Sequence, residues 1–218
     1  MPNLERRYMG KIEITKKVLG ICATNCYTVV DTETKEALII DPADRADVLI
    51  RDWKDKGVTP QAVLLTHGHF DHIGALAGVK KEYPDIKVYA AAEEKEVMES
   101  PALNLSSSFG AAFTAQADIY LEDGAEIEVL GRKCKCLLVP GHTKGGMCYY
   151  FPEENVVFTG DTLFCYSVGR TDFPTGDAKA LEEAIREKLF TLPDETLVLP
   201  GHDAQTMIGK EKKGNPYF

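Results

Sequence analysis

Three of the chain's five histidines, His67, His69 and His72, fall with Asp71 inside the seven residues THGHFDH (66–72). The other two stand in Pro-Gly-His motifs, His142 in 140–142 and His202 in 200–202, and a further carboxylate, Asp161, ends the TGD of 159–161. A single histidine is more often a satisfied core or surface residue than a ligand. Here all five sit in short Gly-flanked polar motifs at the ends of β-type runs. Borderline cations such as zinc accept imidazole nitrogen at about 2.0–2.1 Å and carboxylate oxygen at similar range, and one carboxylate can bridge two ions roughly 3.5–4 Å apart. Seven such side chains suffice for two metals, with Asp161 as the natural bridge. Without metal the same cluster would repel itself whenever its imidazoles took up protons.

The elements that must carry these residues are legible from hydrophobic periodicity. A buried strand over 61–67 ends on His67, and His72 opens a helix read over 72–83. Strands are expected at 12–19, 25–31 and 36–41, the last two joined as a hairpin, with an amphipathic helix over 46–57 that aligns Val48, Leu49 and Trp53 and stops at Gly57. A strand over 87–91 and a helix over 92–98 lead into a long Ser/Ala/Gly-bearing stretch, 100–118, which is either a binding lid or a partly helical surface excursion. The second half repeats the strand pattern at 126–130, 133–139, 147–151 and 155–160. The helix over 177–190 then buries Ala180, Leu181, Ala184, Ile185 and Leu189. Two strand-rich halves, each ending in helices, imply an α/β fold with two sheets face to face and helices outside.

Composition narrows the function. At 218 residues and 44% hydrophobic content the chain reads as one globular domain over 1–218, and its net charge of -9 disfavours nucleic acid and anionic lipid as partners. No export signal and no apolar run of bilayer length is present, which predicts a cytoplasmic protein away from membranes. Six cysteines lack zinc-ribbon spacing and read as reduced thiols, Cys134 and Cys136 as ordinary strand residues and Cys165 as a buried spectator. Neither GxGxxG nor GxxxxGK occurs, so no nucleotide cofactor is expected.

The ordered set THGHFDH, PGH, TGD and PGH resembles the metallo-β-lactamase fold superfamily over nearly the whole chain. The resemblance implies a four-layer αββα sandwich with the metal site at one edge of the two sheets. It implies a first metal on His67, His69 and His142, a second on Asp71, His72 and His202, and Asp161 shared, with Asp71 and Asp161 as the catalytic carboxylates. Asp41, in IIDP, is similar to an early aspartate that steadies the ligand loop, an Asx turn before Pro42 being the alternative. Asp161 departs from the β-lactamases that place cysteine there, and His69 departs from the diiron flavoproteins that place Glu there.

TGDTLF (159–164), PGHTKGG (140–146) and the ending IGKEKKGNPYF resemble short single-domain relatives of glyoxalase II, the hydroxyacylglutathione hydrolase-like proteins. That implies two divalent ions, zinc first with iron or manganese as alternatives. A hydroxide shared between them would attack a thioester such as S-2-hydroxyacylglutathione. The C-terminal helical domain that helps hold glutathione in full-length relatives is not expected here, and Gly169-Arg170-Thr171-Asp172 stands where they carry GKFY. Arg170 is the substrate-binding candidate, a pair with Asp172 being the alternative. Lys210, Lys212 and Lys213 read as a solvated basic tail. The GRTDF run (169–173) also resembles the persulfide dioxygenases, which implies as a second possibility a single iron on His67, His142 and Asp161. A lactonase or other ester hydrolase on the same paired site is the third. A non-catalytic module would not be expected to keep all seven ligands. The partner expected is a small-molecule thioester or thiol conjugate; nothing in the sequence speaks to oligomeric state.

Overall fold

The structure, a computed structural model, describes residues 6–9 and 11–218. Strands β1 (Arg6–Met9), β2 (Ile12–Leu19), β3 (Thr24–Asp31) and β4 (Glu36–Ile40) pair antiparallel in sequence order. The chain then crosses over through α1 (Ala46–Asp55) to β5 (Thr59–Leu64), and through α2 (Phe70–Ile73) and α3 (Leu76–Glu82) to β6 (Lys87–Ala91). A 3-10 turn at Ala92–Glu94, α4 (Lys95–Glu99) and α5 (Ser106–Phe109) lead to β7 (Ile119–Leu121). Helical crossovers permit parallel pairing, and β4 through β7 pair in parallel to complete a seven-stranded sheet in the order β1 to β7.

The second sheet holds β8 (Glu126–Val129), β9 (Arg132–Leu138), β10 (Met147–Phe151) and β11 (Val156–Gly160). After a small ribbon of β12 (Leu163–Phe164) and β13 (Ser167–Val168) comes α6 (Ala178–Ala184), followed by a π turn at Ile185–Leu189. Strands β14 (Leu197–Pro200) and β15 (Thr206–Met207) and α7 (Ile208–Gly214) end the chain, and the sheet order is β15-β14-β11-β10-β9-β8. The α/β fold and facing sheets expected from the sequence are thus present.

Strand alternation explains the four layers, because successive side chains leave a strand on opposite faces. In β4, Leu38 and Ile40 join Tyr27, Leu64, Cys134, Cys136, Tyr149 and Phe158 in the core between the sheets. Ala37 and Ile39 of the same strand face outward to Leu49, Trp53, Leu76 and Val79 on α1 and α3. On the far side Cys148, Val157 and Val198 meet Leu181 and Ile185. Trp53 is fully buried and donates its indole N–H to Thr28 Oγ1 at 3.0 Å, so its polar edge is satisfied beneath the first sheet.

Several expectations need correction. The helix read over 72–83 is two helices, because Gly74 lies against the loop after β4: a Cβ there would stand 2.5 Å from the Ala43 carbonyl oxygen, while Ala75 N–H donates to Pro42 O at 2.9 Å. The strand read over 61–67 stops at Leu64, leaving His67 outside the ladder. The helix over 177–190 starts on Asp177, whose carboxylate accepts from Ala180 N–H at 3.0 Å, but its last part widens into the π turn. The C-terminal lysines lie in α7 and not in an irregular tail: Lys210 and Lys213 are solvent-exposed as expected, Lys212 reaches Asp194 at 2.7 Å, and the helix is anchored by the buried Glu211, which accepts from Tyr166 N–H and Asn215 Nδ2. Among the described residues no helix is long and apolar enough to cross a membrane.

Candidate metal centre

The ligand candidates leave the ends of strands along one rim: His67 follows β5, His142 follows β9, Asp161 follows β11 and His202 follows β14. Because β4 and β5 are parallel neighbours, Asp41 ends its strand beside Thr66. There it accepts from Thr66 N–H at 2.8 Å and Thr66 Oγ1 at 2.6 Å, in the left-handed backbone region (φ 49°) that aspartate tolerates better than most residues. The same carboxylate meets His72 Nδ1 at 2.8 Å. A carboxylate accepts, so Nδ1 carries the proton and Nε2 is turned toward the cluster. Asp41 therefore steadies the ligand loop, and the simple Asx turn is not its role. His142 is set in the same way, donating from Nδ1 to the Arg170 carbonyl at 2.7 Å.

All seven sequence candidates come together. Three sets of ligand atoms each lie within 4.8 Å of one another: His67, His69 and His142; His67, His72 and Asp161; and Asp71, His72 and His202. Asp161 stands between the sets, with Oδ1 3.3 Å from His72 Nε2 and Oδ2 3.3 Å from His202 Nε2 and 3.6 Å from His142 Nε2. Asp71 Oδ2 lies 3.4 Å from His202 Nε2 and accepts from Thr24 Oγ1 at 2.7 Å. His67 Nε2, His69 Nε2, His72 Nε2 and Asp161 Oδ1 are buried without a hydrogen-bond partner. An orphaned buried polar atom costs about 1–3 kcal/mol, and four converging on one spot fit a cation that they would ligate.

The electrostatics divide the histidines. Burial and neighbouring imidazoles drive His67 well below the ordinary histidine value and His69 down to about 3, and burial lowers His142. Burial opposes charge on His72 and His202 as well, but Asp71 and Asp161 outweigh it, raising His72 well above its ordinary value and His202 to about 9. Burial is likewise overcome at Asp71, which the neighbouring histidines and Thr24 hold near 2, and at Asp161, held well below the carboxylate range. The carboxylates are thus ionised, and three of the imidazoles are kept neutral as metal ligands must be.

The profile of the metallo-beta-lactamase superfamily matches residues 19–202. The chain belongs to the metallo-beta-lactamase superfamily. It is 38% identical over 202 residues to the probable metallo-hydrolase YqgX of Bacillus subtilis, covering 92% of this chain and 94% of that one. It is 35% identical to the hydroxyacylglutathione hydrolase GloC of Haemophilus influenzae, covering 89% and 92%. Among solved structures, BLEG-1 B3 metallo-beta-lactamase superposes with a TM-score of 0.89 at 39% identity, covering 94% and 98%. TTHA1623 in a di-iron-bound form follows at 0.82 and 36%, covering 93% and 99%. ETHE1 from Myxococcus xanthus gives 0.77 and 31%, covering 93% and 83%. The superfamily's αββα sandwich is the layered fold described above.

In this superfamily member the ligand cluster forms the floor of a cavity of about 540 Å³, walled by Cys22, Phe70, Leu105, Phe109, Phe164 and Phe173, with Arg170 and Asp203 at its polar side. Arg170 is on the wall, but both its Nε and a terminal nitrogen donate to Asp172 at 2.7 Å and its guanidinium lies 3.8 Å over the Phe173 ring. The stretch 100–118 is tied down at Asn104, whose side chain donates to Phe113 O at 2.9 Å and whose carbonyl accepts from Phe70 N–H at 2.8 Å. It delivers Leu105 and Phe109 to the cavity. Cys165 is half-buried and off the wall; Cys22, unremarked in the sequence, is on it.

Glu94 also escaped the sequence reading. It is fully buried, accepts from Gly68 N–H at 2.8 Å and Thr143 Oγ1 at 3.0 Å, and is further bonded by the Gly145 N–H. It thereby ties the loop of His67 and His69 to the loop of His142. Burial lifts its pKa to about 7 against those three donors. In the sequence it sits in AAEEKEVME, a run that reads as an ordinary helical face.

Proposed function

We propose that the protein is a metal-dependent hydrolase of thioesters, with S-2-hydroxyacylglutathione as the first substrate to test. Two divalent ions would be held by His67, His69 and His142 on one side and Asp71, His72 and His202 on the other, with Asp161 shared. The observation that carries this is the convergence of the three ligand sets on one spot, where Nε2 of His67, His69 and His72 and Oδ1 of Asp161 are buried with no hydrogen-bond partner. Zinc suits the mixed imidazole and carboxylate set, and iron and manganese are the alternatives, iron being favoured by the di-iron relative. When bound, such ions lower the pKa of a coordinated water toward neutrality and polarise a carbonyl.

The chain's own residues supply the rest. Asp41 and the Arg170 carbonyl engage Nδ1 of His72 and His142 and turn Nε2 of each toward the cluster, where His142 Nε2 meets His69 Nδ1 at 3.0 Å. Thr24 orients Asp71, and the ionised Asp71 and Asp161 offset the positive charge of the ions. The aromatic wall restricts water around the scissile carbonyl. Arg170 serves through its backbone carbonyl and as part of the wall through its stack on Phe173, and a thiolate leaving group needs no strong acid. The GloC relative supports the thioester reading.

A second reading, a single-iron persulfide dioxygenase, is favoured by GRTDF and by the likeness to ETHE1. A lactonase would use the same pair of ions as the thioesterase. Metal analysis of rapidly purified protein, with S-lactoylglutathione hydrolysis and glutathione-persulfide oxygen uptake assayed side by side, separates them. Asp161→Ala and His142→Ala should each lose bound metal and lower kcat/KM by more than about 100-fold, since even partners one step behind the ligands cost 10- to 100-fold. Survival of both metal content and hydrolysis would refute the assignment.

A further inference from the structure

The cavity wall beside the metal centre is unlike a site for a small polar acyl group. Phe70 and Phe109 stack with ring centroids 4.8 Å apart and planes inclined by 14°. Phe173 stands edge-on to His69 at 5.7 Å, and Phe164 faces His202 at 6.2 Å, so aromatic rings flank the ligand cluster on both sides. Leu105 completes the wall from a left-handed backbone conformation (φ 68°), one a leucine adopts only when surrounding contacts enforce it. Phe109 is 50% exposed although the segment carrying it is anchored by Asn104 and by Ser106, whose hydroxyl donates to Phe113 O at 3.1 Å. The apolar area it offers therefore faces the cavity mouth from a fixed position.

Charge points the same way. Arg170 on the wall is held by Asp172 on one edge and Phe173 on one face, and His202 on the floor is paired with Asp71 and Asp161. Lys16 donates to the Asp203 carbonyl at 3.3 Å. A carboxylate-rich thiol carrier meets no unengaged cation among the cavity-lining residues, whereas an uncharged chain or ring meets four phenylalanines and a leucine.

We propose that this cavity is an acyl-binding site that selects thioesters whose acyl group is a medium aliphatic chain or an aryl ring, seated between the Phe70–Phe109 stack and Phe173, over compact hydroxyacyl groups. The inference rests on the thioesterase reading and names the substrate class within it. Burying apolar surface drives the selection: each methylene removed from water favours binding by about fourfold.

The test uses the metal-loaded full chain and a series of S-acyl-N-acetylcysteamine thioesters carrying lactoyl, butanoyl, hexanoyl and phenylacetyl groups. kcat/KM is expected to rise by about fourfold per methylene buried and to be highest for hexanoyl and phenylacetyl. Phe109→Ala should flatten the series and Phe109→Leu should restore most of its slope. S-lactoylglutathione should gain no more than a few fold over S-lactoyl-N-acetylcysteamine. A flat or falling series in the unmodified protein, a slope untouched by Phe109→Ala, or a preference for the glutathione ester of more than about tenfold would overturn the proposal. Calorimetric binding of hexanoate, phenylacetate and lactate separates the two claims. If no thioester is cleaved but the apolar acids bind more tightly than lactate in a Phe109-dependent way, the thioesterase reading fails and the acyl site stands. If the three acids bind alike, the acyl site fails whatever the turnover.

Discussion

Glu94 shows how much one side chain outside the ligand set can govern. Its carboxylate joins two loops whose histidines must meet, yet burial holds its pKa near 7 instead of at the ordinary 4.5. Below about pH 4.5 the group is protonated in both folded and unfolded chains and costs nothing. Between 4.5 and 7 the unfolded chain ionises first, so its contribution to stability falls as pH rises, by about 3 kcal/mol in all. Glu94→Gln carries no proton to lose. In urea denaturation of the metal-free proteins, its stability relative to the parent should therefore improve by about that amount between pH 4.5 and 8. A difference that does not change with pH would show that Glu94 is not buried as described. The opposite fates of His69, near 3, and His202, near 9, follow from the same competition: imidazole neighbours reinforce burial in the first, and carboxylates outweigh it in the second.

At the scale of elements, the strand ends do the positioning and short backbone departures set their aim. Gly160 closes β11 with φ 51°, and a Cβ there would come within 2.2 Å of Thr66 Oγ1, the hydroxyl bonded to Asp41. Gly160→Ala should cost about 2–4 kcal/mol, combining left-handed strain with overpacking, and should weaken metal binding by disturbing the Asp41 to His72 contact. Denaturation midpoints and metal titration of the variant check both. The π turn follows α6 directly, and the helix expected over 72–83 breaks at Gly74. At Gly74, packing on the loop after β4 overrode a periodic sequence pattern that by itself continues one helix.

For the whole molecule, the candidate metal centre draws residues from strand ends of both sheets, β5 in the first and β9, β11 and β14 in the second, so removing metal should be felt globally. The unpartnered buried nitrogens and ionised carboxylates that the ions would ligate remain as a standing cost in the metal-free chain. Adding zinc to the chelated protein at about 100 times its dissociation constant should raise unfolding free energy by about 2.7 kcal/mol for one site, and more if both fill. An unchanged thermal midpoint on addition of zinc, iron or manganese would contradict a metal-linked fold.

The seven ligand candidates were legible in the chain itself because the chemistry demands particular residue types, and because each stands in a short motif at or just after the end of a β-run. The strand over 36–41 was legible too, but its four consecutive apolar residues do not say which face Leu38 and Ile40 take and which Ala37 and Ile39 take; the two flanking layers decide that. That Arg170 is held by Asp172, that Phe109 and Cys22 reach the cavity, and that Glu94 joins two loops were decided only in three dimensions. Each of these depends on segments far apart in sequence meeting across the rim of the sandwich. Burial and long-range contact, which create those roles, leave no local pattern in the residues that fill them.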